Sequence, residues 1–431
     1  MVENLTASEE CLQRLQQTIQ FAVKTIPYYR DRAARYSKPV NTTQDLETFP
    51  FVEPESFVSD PRSFCSSSQW PDSISFSSAT TGSIGRSRWH LKTEKEAQSG
   101  YDQRAANASG ITLVIHPFDQ GAPLQIEEKP NTIYLPFFVP WHYELILNTL
   151  ESGWSSPMGR LPVSHILAFS PALRILTTWL AEQDKNPATF GVKEVAGYGS
   201  IQPPVWRRRL KTRWHAHYTD LYGLSEVKAI ADTCPICDNC HFLYPVIPEV
   251  VDSASRQLVK QGMGVLVLTE LMPFAQLQLL IRYWTGDLVE IMSPCMLSPF
   301  GFKFRGRLAD SVILTPWGSR ATKITIGSLQ TGEICSEFPE IAVTRIPWAS
   351  SFEDVGAPRF FLSGSNNTVS IVVELRFSPE LFQEKSDQLI HSLRQTILRE
   401  VTGLGAVVEA GQVFLEIESV GPGRLLQLTN V

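Results

Sequence analysis

The chain has 431 residues, 43% apolar and 19% charged, with 38 Lys and Arg against 44 Asp and Glu for a formal charge of −6. That length exceeds one ordinary core and predicts two or more domains, and the composition is globular rather than disordered or fibrous. The mild acidity gives no basic footprint for nucleic acid, and no apolar run reaches the length of a membrane span.

The opening stretch, "MVENLTASEECLQRLQQTIQFAVKTIPYYRDRAARY", is a polar amphipathic helical pattern without the apolar core of a signal peptide, so a cytoplasmic protein is expected. A Pro-rich irregular segment, "TFPFVEPESFVSDP", follows. Then comes "SFSSATTGSIGRSRWH", Ser75 to His90, in which hydroxyl residues and two glycines end in two arginines. Local turn preference accounts for such a composition. So does a phosphate cradle of backbone N–H groups and hydroxyls. The G-x-x-x-x-G-K-[ST] spacing of the usual nucleotide loop is absent.

Beyond this loop, apolar runs alternate with helical patterns. "ITLVIH" and "NTIYLPFF" read as strands, and "HILAFSPALRILTTWLAEQ" as a strand passing into an amphipathic helix. "FGVKEVAGYGS" is a strand ending in a Gly-rich turn, followed by the helix "PPVWRRRLKTRW" and the strand "HYTDLYG". This rhythm predicts a sheet covered by helices. "GMGVLVLTEL" and "LQLLIRYWTGDLVEIM" read as antiparallel strands. After "FKFRGRLADSVIL" come the strand "TVSIVVELRF", the helix "SPELFQEKSDQLIHSLRQTILREVTG" and the strand "AVVEAGQVFLEIESV", a small α+β unit able to hold its own core. The fold class expected is α/β. A large N-terminal domain of mixed sheets covered by helices, residues 1–306, would carry a small mobile α+β C-terminal domain, residues 307–431.

There are seven cysteines. Cys11, Cys65, Cys295 and Cys335 lie apart, while Cys234, Cys237 and Cys240 share "CPICDNCH". In a reducing compartment such a cluster points to metal before disulfides. "CDNCH" also fits c-type haem attachment, but that chemistry belongs to exported proteins. A zinc knuckle of Cys234, Cys237 and Cys240 is preferred, with His241 competing as a ligand.

Four stretches, "SSATTGSIGR", "YGLSEV", "YWTGDL" and "FRGRLADSVIL", fall in this order along the chain. In that order they resemble the adenylate-forming ligases, specifically the phenylacetate–CoA ligase branch. "IPYYRDRAARY…TTQDLETFPFVEPESF" and "YGSIQPPVWRRRLKTRW…YTDLYGLSEV" are also similar to that branch. The resemblance implies that Ser77, Ser78, Thr80, Thr81 and Gly82 hold the β- and γ-phosphates of ATP, with Thr81 close to the chemistry. Ala79 replaces a frequent glycine, no lysine follows, and Arg86 or Arg88 is available as the missing charge. It implies that Tyr222, followed by Gly223, stacks on adenine, that Glu226 binds Mg²⁺, and that Gly199, Ser200 and Ile201 form the second adenine wall. Ser200 stands where the branch often has glutamate. Asp287 would accept both ribose hydroxyls and Arg307 would reach the ribose.

Two departures stand out. The family's acidic hinge position after "GR" is Ala309 here, with Asp310 next. The family's C-terminal lysine, which stabilises charge developing during adenylation, corresponds to Arg424 in "ESVGPGRLLQL". The guanidinium keeps the charge but changes its shape and donor fork. The branch also often carries zinc in the cysteine segment with a further cysteine just past "TGD", a position Cys295 fits. Zinc there would be structural.

The implied activity is ATP-dependent adenylation of a carboxylic acid, then transfer to coenzyme A, a carrier-protein thiol or a small amine. Phe138, Trp141, His142 and Tyr198 are the expected walls of a flat slot for an aromatic or compact acid. Expected partners are these small molecules or a carrier protein, with neither nucleic acid nor membrane, and a homodimer as the assembly. The competing reading is a nucleotide-binding or regulatory protein derived from such an enzyme and no longer catalytic; Arg424 and Ala309 favour it.

Overall fold

The computed structural model describes residues 9–67, 75–78, 89–93, 96, 110–116, 131–156, 159–224, 226–243, 246–317, 323–345, 355–365 and 367–425. The side chains of 75–78, 89–90, 92 and 156 are not among the described atoms. The chain forms two compact units, Met1–Ile201 with Leu210–Lys303, and Gln202–Arg209 with Phe304–Val431.

The first unit opens with the amphipathic helix Glu9–Thr25, which buries Leu15, Ile19 and Ala22. A small hairpin pairs β1 (Ser75–Ser78) with β2 (Trp89–Lys92), in the register Ser75↔Lys92 to Ser78↔Trp89. The main sheet begins with β3 (Ile111–His116) and β4 (Thr132–Pro136). A short antiparallel pair, β5 (Trp154–Ser156) and β6 (Gly159–Leu161), precedes β7 (Val163–Phe169), β8 (Glu194–Tyr198) and β9 (His217–Gly223). β3, β4, β7, β8 and β9 run parallel. The helix Ser170–Glu182 packs on β3, β7 and β8, burying Leu173, Ile175, Leu176 and Leu180. Neighbouring parallel strands need such crossovers, and their near-continuous burial follows from cover by helices.

After β9 the chain turns antiparallel, with β10 (Ile230–Thr233), β11 (Cys240–Phe242), β12 (Val246–Val251), β13 (Gly262–Glu270), β14 (Tyr283–Met292) and β15 (Gly301–Arg307). The order across the eleven strands is β12-β13-β14-β15-β11-β10-β9-β8-β7-β3-β4. The strand expected over "LQLLIRYWTGDLVEIM" starts only at Tyr283. Its first half is buried irregular chain, with a single backbone bridge at Cys65↔Gln278 and side chains taking several of its N–H groups. Leu280 N–H donates to Glu270 Oε2 (2.9 Å), Ile281 N–H to Tyr29 Oη (2.9 Å) and Arg282 N–H to Thr269 Oγ1 (3.0 Å). The Arg282 guanidinium makes a bidentate pair with Glu249, both buried.

The second unit holds β16 (Val312–Leu314) paired with β17 (Ile324–Ile326), and a sheet of β18 (Phe360–Ser365), β19 (Thr368–Glu374) and β20 (Phe414–Val420). The helix Gln383–Glu400 contributes Leu389, Leu393 and Ile397 to a core with Val369, Ile371 and Val373. The expected strand "AVVEAGQVFLEIESV" divides. Its first part forms the helix Leu404–Glu409, introduced by Gly403 at φ 78° and ended before Gly411 at φ 67°; only Phe414 onward is strand. The apolar residues of "AVV" fit either period, and packing against the core selects the helical one. The architecture is α/β, with a large mixed sheet and a small C-terminal sheet unit.

Candidate functional site

Parallel strands gather ligand-facing loops at their carboxyl ends. β8 ends at Tyr198 and its neighbour β9 at Gly223, so "YGS" and "YGLSE" emerge from one edge of the sheet. Gly199 has φ +83°, and a Cβ there would come within 2.5 Å of the Phe169 ring, so only glycine suits this turn. The Ser170 hydroxyl donates to the Ser200 carbonyl at 2.6 Å and pins the loop. Gly199 and Ser200 are exposed and Ile201 half-buried.

β14 supplies the other half of the site. Its pairing with β13 slips between Val265↔Leu288 and Val267↔Trp284, leaving Thr285, Gly286 and Asp287 opposite Leu266. This is a bulge. Gly286 takes φ +75°, the Thr285 hydroxyl donates to Leu266 O at 2.7 Å, and Asp287 N–H donates to Thr285 Oγ1 at 3.0 Å. "TGD" is therefore a local device that re-aims one carboxylate.

That carboxylate meets the other motif. Tyr222 Oη donates to Asp287 Oδ2 at 2.6 Å, with Tyr222 5% and Asp287 1% exposed. Four strand intervals separate β9 from β14, about 19 Å along a flat sheet, so this contact requires the sheet to curl back on itself. The Tyr222 ring is edge-on to Phe302, with centroids 5.4 Å apart at 83°, and lies 6.4 Å from Phe242. From the start of β14 the buried Tyr283 donates its hydroxyl to Glu226 Oε1 at 3.3 Å. "YGLSE" and "YWTGD" are thus joined twice, through Tyr222–Asp287 and through Glu226–Tyr283. Gly223, at the β9 terminus, pairs with Ile230.

Other expected residues fall as follows. Ser77 and Ser78 close the ladder of β1, beside the turn of its hairpin. Ala79, Thr80, Thr81, Gly82, Arg86 and Arg88 lie outside the described residues. Arg307 ends β15, and its carbonyl accepts the Ser311 hydroxyl at 2.6 Å. Arg424, in the second unit, is exposed and ion-paired with Glu380 at 3.3 Å. Among the expected slot residues, Trp141 is 62% exposed, while His142 is buried with a capping task. His142 Nδ1 accepts the N–H groups of Phe138 (3.0 Å) and Val139 (3.4 Å), ahead of the helix Pro140–Ser152. Burial holds its pKa below the ordinary histidine value. The Phe138 ring lies edge-on to His142 at 6.3 Å, and Tyr198 lies near His116 and Phe169 at 5.6 and 6.1 Å.

Among the cysteines, Cys234, Cys237, His241 and Cys295 bring four ligand atoms within 4.8 Å of one another. Cys234 Sγ and Cys295 Sγ are 3.9 Å apart, and Cys237 Sγ lies 3.2 Å from His241 Nε2. Sulfurs on a tetrahedral zinc, with bonds of ~2.3 Å, sit about 3.8 Å apart. His241 Nδ1 is 2.8 Å from Phe300 O, leaving Nε2 toward the sulfurs, the usual support of a metal-binding imidazole. Cys240 stays outside the cluster. It precedes His241 in β11, where successive side chains point to opposite faces, so both cannot serve one site. The Leu297 N–H, first, with His241 and Cys237 next, holds the Cys295 thiol down to about 7, and burial pushes Cys237 up to about 11. The donor set of three thiols and an imidazole suits zinc.

Pattern reading missed the parts played by Tyr283, which lies inside "YWTGDL" but looks like an ordinary strand position, and by Lys228, two residues past Glu226. No helix among the described residues is long and apolar enough to cross a membrane.

No family model and no curated protein matches the chain. Solved structures do. A 2-hydroxyisobutyryl-CoA ligase, captured open with 2-HIB-AMP and CoA, superposes with a TM-score of 0.65 at 17% identity, covering 96% of this chain and 88% of that one. The same ligase in its thioesterification state gives a TM-score of 0.54 at 17% identity, covering 97% and 90%. The amide bond synthetase McbA from Marinactinospora thermotolerans gives 0.50 at 15% identity, covering 82% and 68%. The chain has the fold of the adenylate-forming ligases. At these identities the likeness establishes fold alone.

Proposed function

We propose that this protein uses ATP to adenylate a carboxylic acid and then passes the acyl group to an acceptor, as a member of the phenylacetate–CoA ligase-like branch. The observation that carries the reading is the Tyr222–Asp287 contact beside Glu226–Tyr283, which joins two segments whose residues suit adenosine and metal-bound phosphate. A buried carboxylate with one oxygen held by a phenol is oriented for vicinal hydroxyls. The Glu226 oxygens suit a hard cation such as the Mg²⁺ of MgATP. Gly199, Ser200, Ile201 and Gly223 would line the base with Tyr222, and Ser77, Ser78, Thr80, Thr81 and Gly82 would take the phosphates. Arg307 would reach the ribose. Arg424 would supply positive charge during adenylation, the role that cations at developing anions fill elsewhere. In this reading the small domain, from about Arg307 onward, moves between half-reactions as other gating domains do.

The acid is aromatic or compact, held by Phe138, Trp141, His142 and Tyr198. The acceptor is coenzyme A; a carrier thiol or an amine would use the same adenylate. Zinc held by Cys234, Cys237, His241 and Cys295 would staple a loop and take no part in catalysis. The protein acts in the cytoplasm. Mass-spectrometric detection of acyl-AMP from ATP and a panel of aryl and short alkyl acids tests the reading. Failure of every acid with folded protein would favour a non-catalytic nucleotide-binding protein, a reading favoured by Arg424 and Ala309 standing where the family has a lysine and an acidic hinge residue.

A further inference from the structure

Two residues beyond Glu226 stands Lys228, which no part of the nucleotide reading uses. Its backbone N–H donates to Glu270 Oε1 at 2.7 Å, and Glu270 Oε2 accepts from Leu280 N–H at 2.9 Å. Its ammonium donates to Glu96 O at 2.5 Å and to Phe274 O at 3.1 Å. The Glu96 carboxylate in turn accepts the N–H groups of Thr93 (2.7 Å), Gln276 (2.5 Å) and Leu277 (3.2 Å). One residue further, Gln278 accepts Leu91 N–H at 2.8 Å through Oε1 and donates to Pro61 O at 3.2 Å through Nε2. Glu96, Glu270 and Gln278 are each 5% exposed or less.

The segment from Glu270, which ends β13, through the irregular chain to Leu280 is therefore a strut with two attachments. One is the turn that carries Glu226. The other is β2 and the residues just after it; Leu91 faces Phe76 in the hairpin whose ladder ends at Ser78↔Trp89. Buried polar groups of this kind are costly unless satisfied, and apolar packing would stabilise as well. What a polar strut adds is fixed distance between the parts it joins. Misplacement by about 1 Å can cost a hundredfold where reacting groups must align.

We propose that Lys228 is a positioning residue that sets the Glu226 turn against the base of the β1–β2 hairpin, and so governs recognition of the ATP β- and γ-phosphates but not of adenosine. The proposal rests on the adenylation reading above. Its test is titration calorimetry of the full-length protein with MgATP and with AMP, which shares the adenosine but lacks the two outer phosphates. Lys228→Met is expected to weaken MgATP at least tenfold while AMP stays within twofold of wild type. Lys228→Arg, which keeps the donors, is expected to restore MgATP to within threefold. Gln278→Met removes the Leu91 attachment to the hairpin, along with the Pro61 contact, and leaves the Lys228 contacts in place; it is expected to give the same split, which keeps the test open should Lys228→Met fail to fold. Equal losses for both nucleotides, or no loss for either, overturn the positioning role while leaving the adenylation reading intact. Wild-type protein that binds neither nucleotide overturns that reading and the proposal together.

Discussion

Two charged side chains assigned to the same chemistry live in opposite surroundings. Asp287 is 1% exposed and held by a 2.6 Å bond from a buried tyrosine. Arg424, in the other unit, is 64% exposed and paired at 3.3 Å with Glu380, itself 60% exposed. The first is fixed before any ligand arrives, since its alternatives were removed by packing. The second holds a partner that water and salt readily replace, so redirecting it costs little. The contrast teaches that, on the proposed reading, ground-state recognition would be built into the first unit's core, whereas the cation for the transition state would be kept available on a surface.

The largest effect that would sharpen this contrast is expected at the exposed side. Arg424→Ala should lower the adenylation rate by about 10²-fold or more while leaving the melting midpoint and acyl transfer from preformed acyl-AMP unchanged. Stopped-flow measurement of the two half-reactions checks it. Normal adenylation would remove the tail from catalysis and make Lys323 or Arg86 the next cation to test.

At the buried side, Asp287→Ala should weaken ATP and AMP alike by about 1.5–3 kcal/mol, the range for a hydrogen bond to a charged group, or roughly ten- to a hundredfold. Unlike Arg424→Ala it should also lower the melting midpoint, because the Tyr222 hydroxyl loses its acceptor. Unchanged nucleotide affinity would mean that the buried pair is structural only.

The cysteine–histidine cluster gives a smaller effect. Purified protein should contain about one zinc per chain, and chelation should lower the melting midpoint by removing a ligand of the native state. Cys234→Ser should abolish metal content and Cys240→Ser should not. Metal analysis without zinc would contradict the assignment.

The smallest effect concerns pH and His142. Its native pKa lies below the unfolded value because burial disfavours the charged ring, and Nδ1 accepts two N–H groups only when neutral. The unfolded chain then binds more protons, so this contribution to stability is present above about pH 6.5 and is lost as pH falls toward the lowered native pKa. His142→Asn should therefore flatten the decline of the melting midpoint between about pH 7 and 5. Identical slopes would contradict the capping role.

These contrasts also explain what the sequence could reveal. Tyr222, Glu226 and Asp287 were legible because each sits in a short motif whose local geometry is self-contained, such as the bulge around Gly286. Their convergence was not, since contact between residues 222 and 287 depends on the curl of a whole sheet. Lys228 carries no local signature and Tyr283, though inside "YWTGDL", shows no sign of its contact, because their partners, Glu96 and Glu226, are distant in sequence. The cysteine–histidine cluster was legible as a group. The choice of His241 over Cys240 needed strand alternation in β11, a tertiary fact. The helix Pro204–Trp214 and strands β3, β7 and β8 followed from period and turn residues, but "LQLLIR" and "AVVEA" misread because side-chain acceptors and core packing overrode local pattern.

The account stands most directly on acid-dependent exchange of labelled pyrophosphate into ATP. It predicts exchange by wild-type protein that requires both Mg²⁺ and an aromatic or compact acid, and that falls with Asp287→Ala. Folded protein that binds MgATP yet exchanges no pyrophosphate with any acid would contradict it, and would leave a nucleotide-binding protein on a ligase fold.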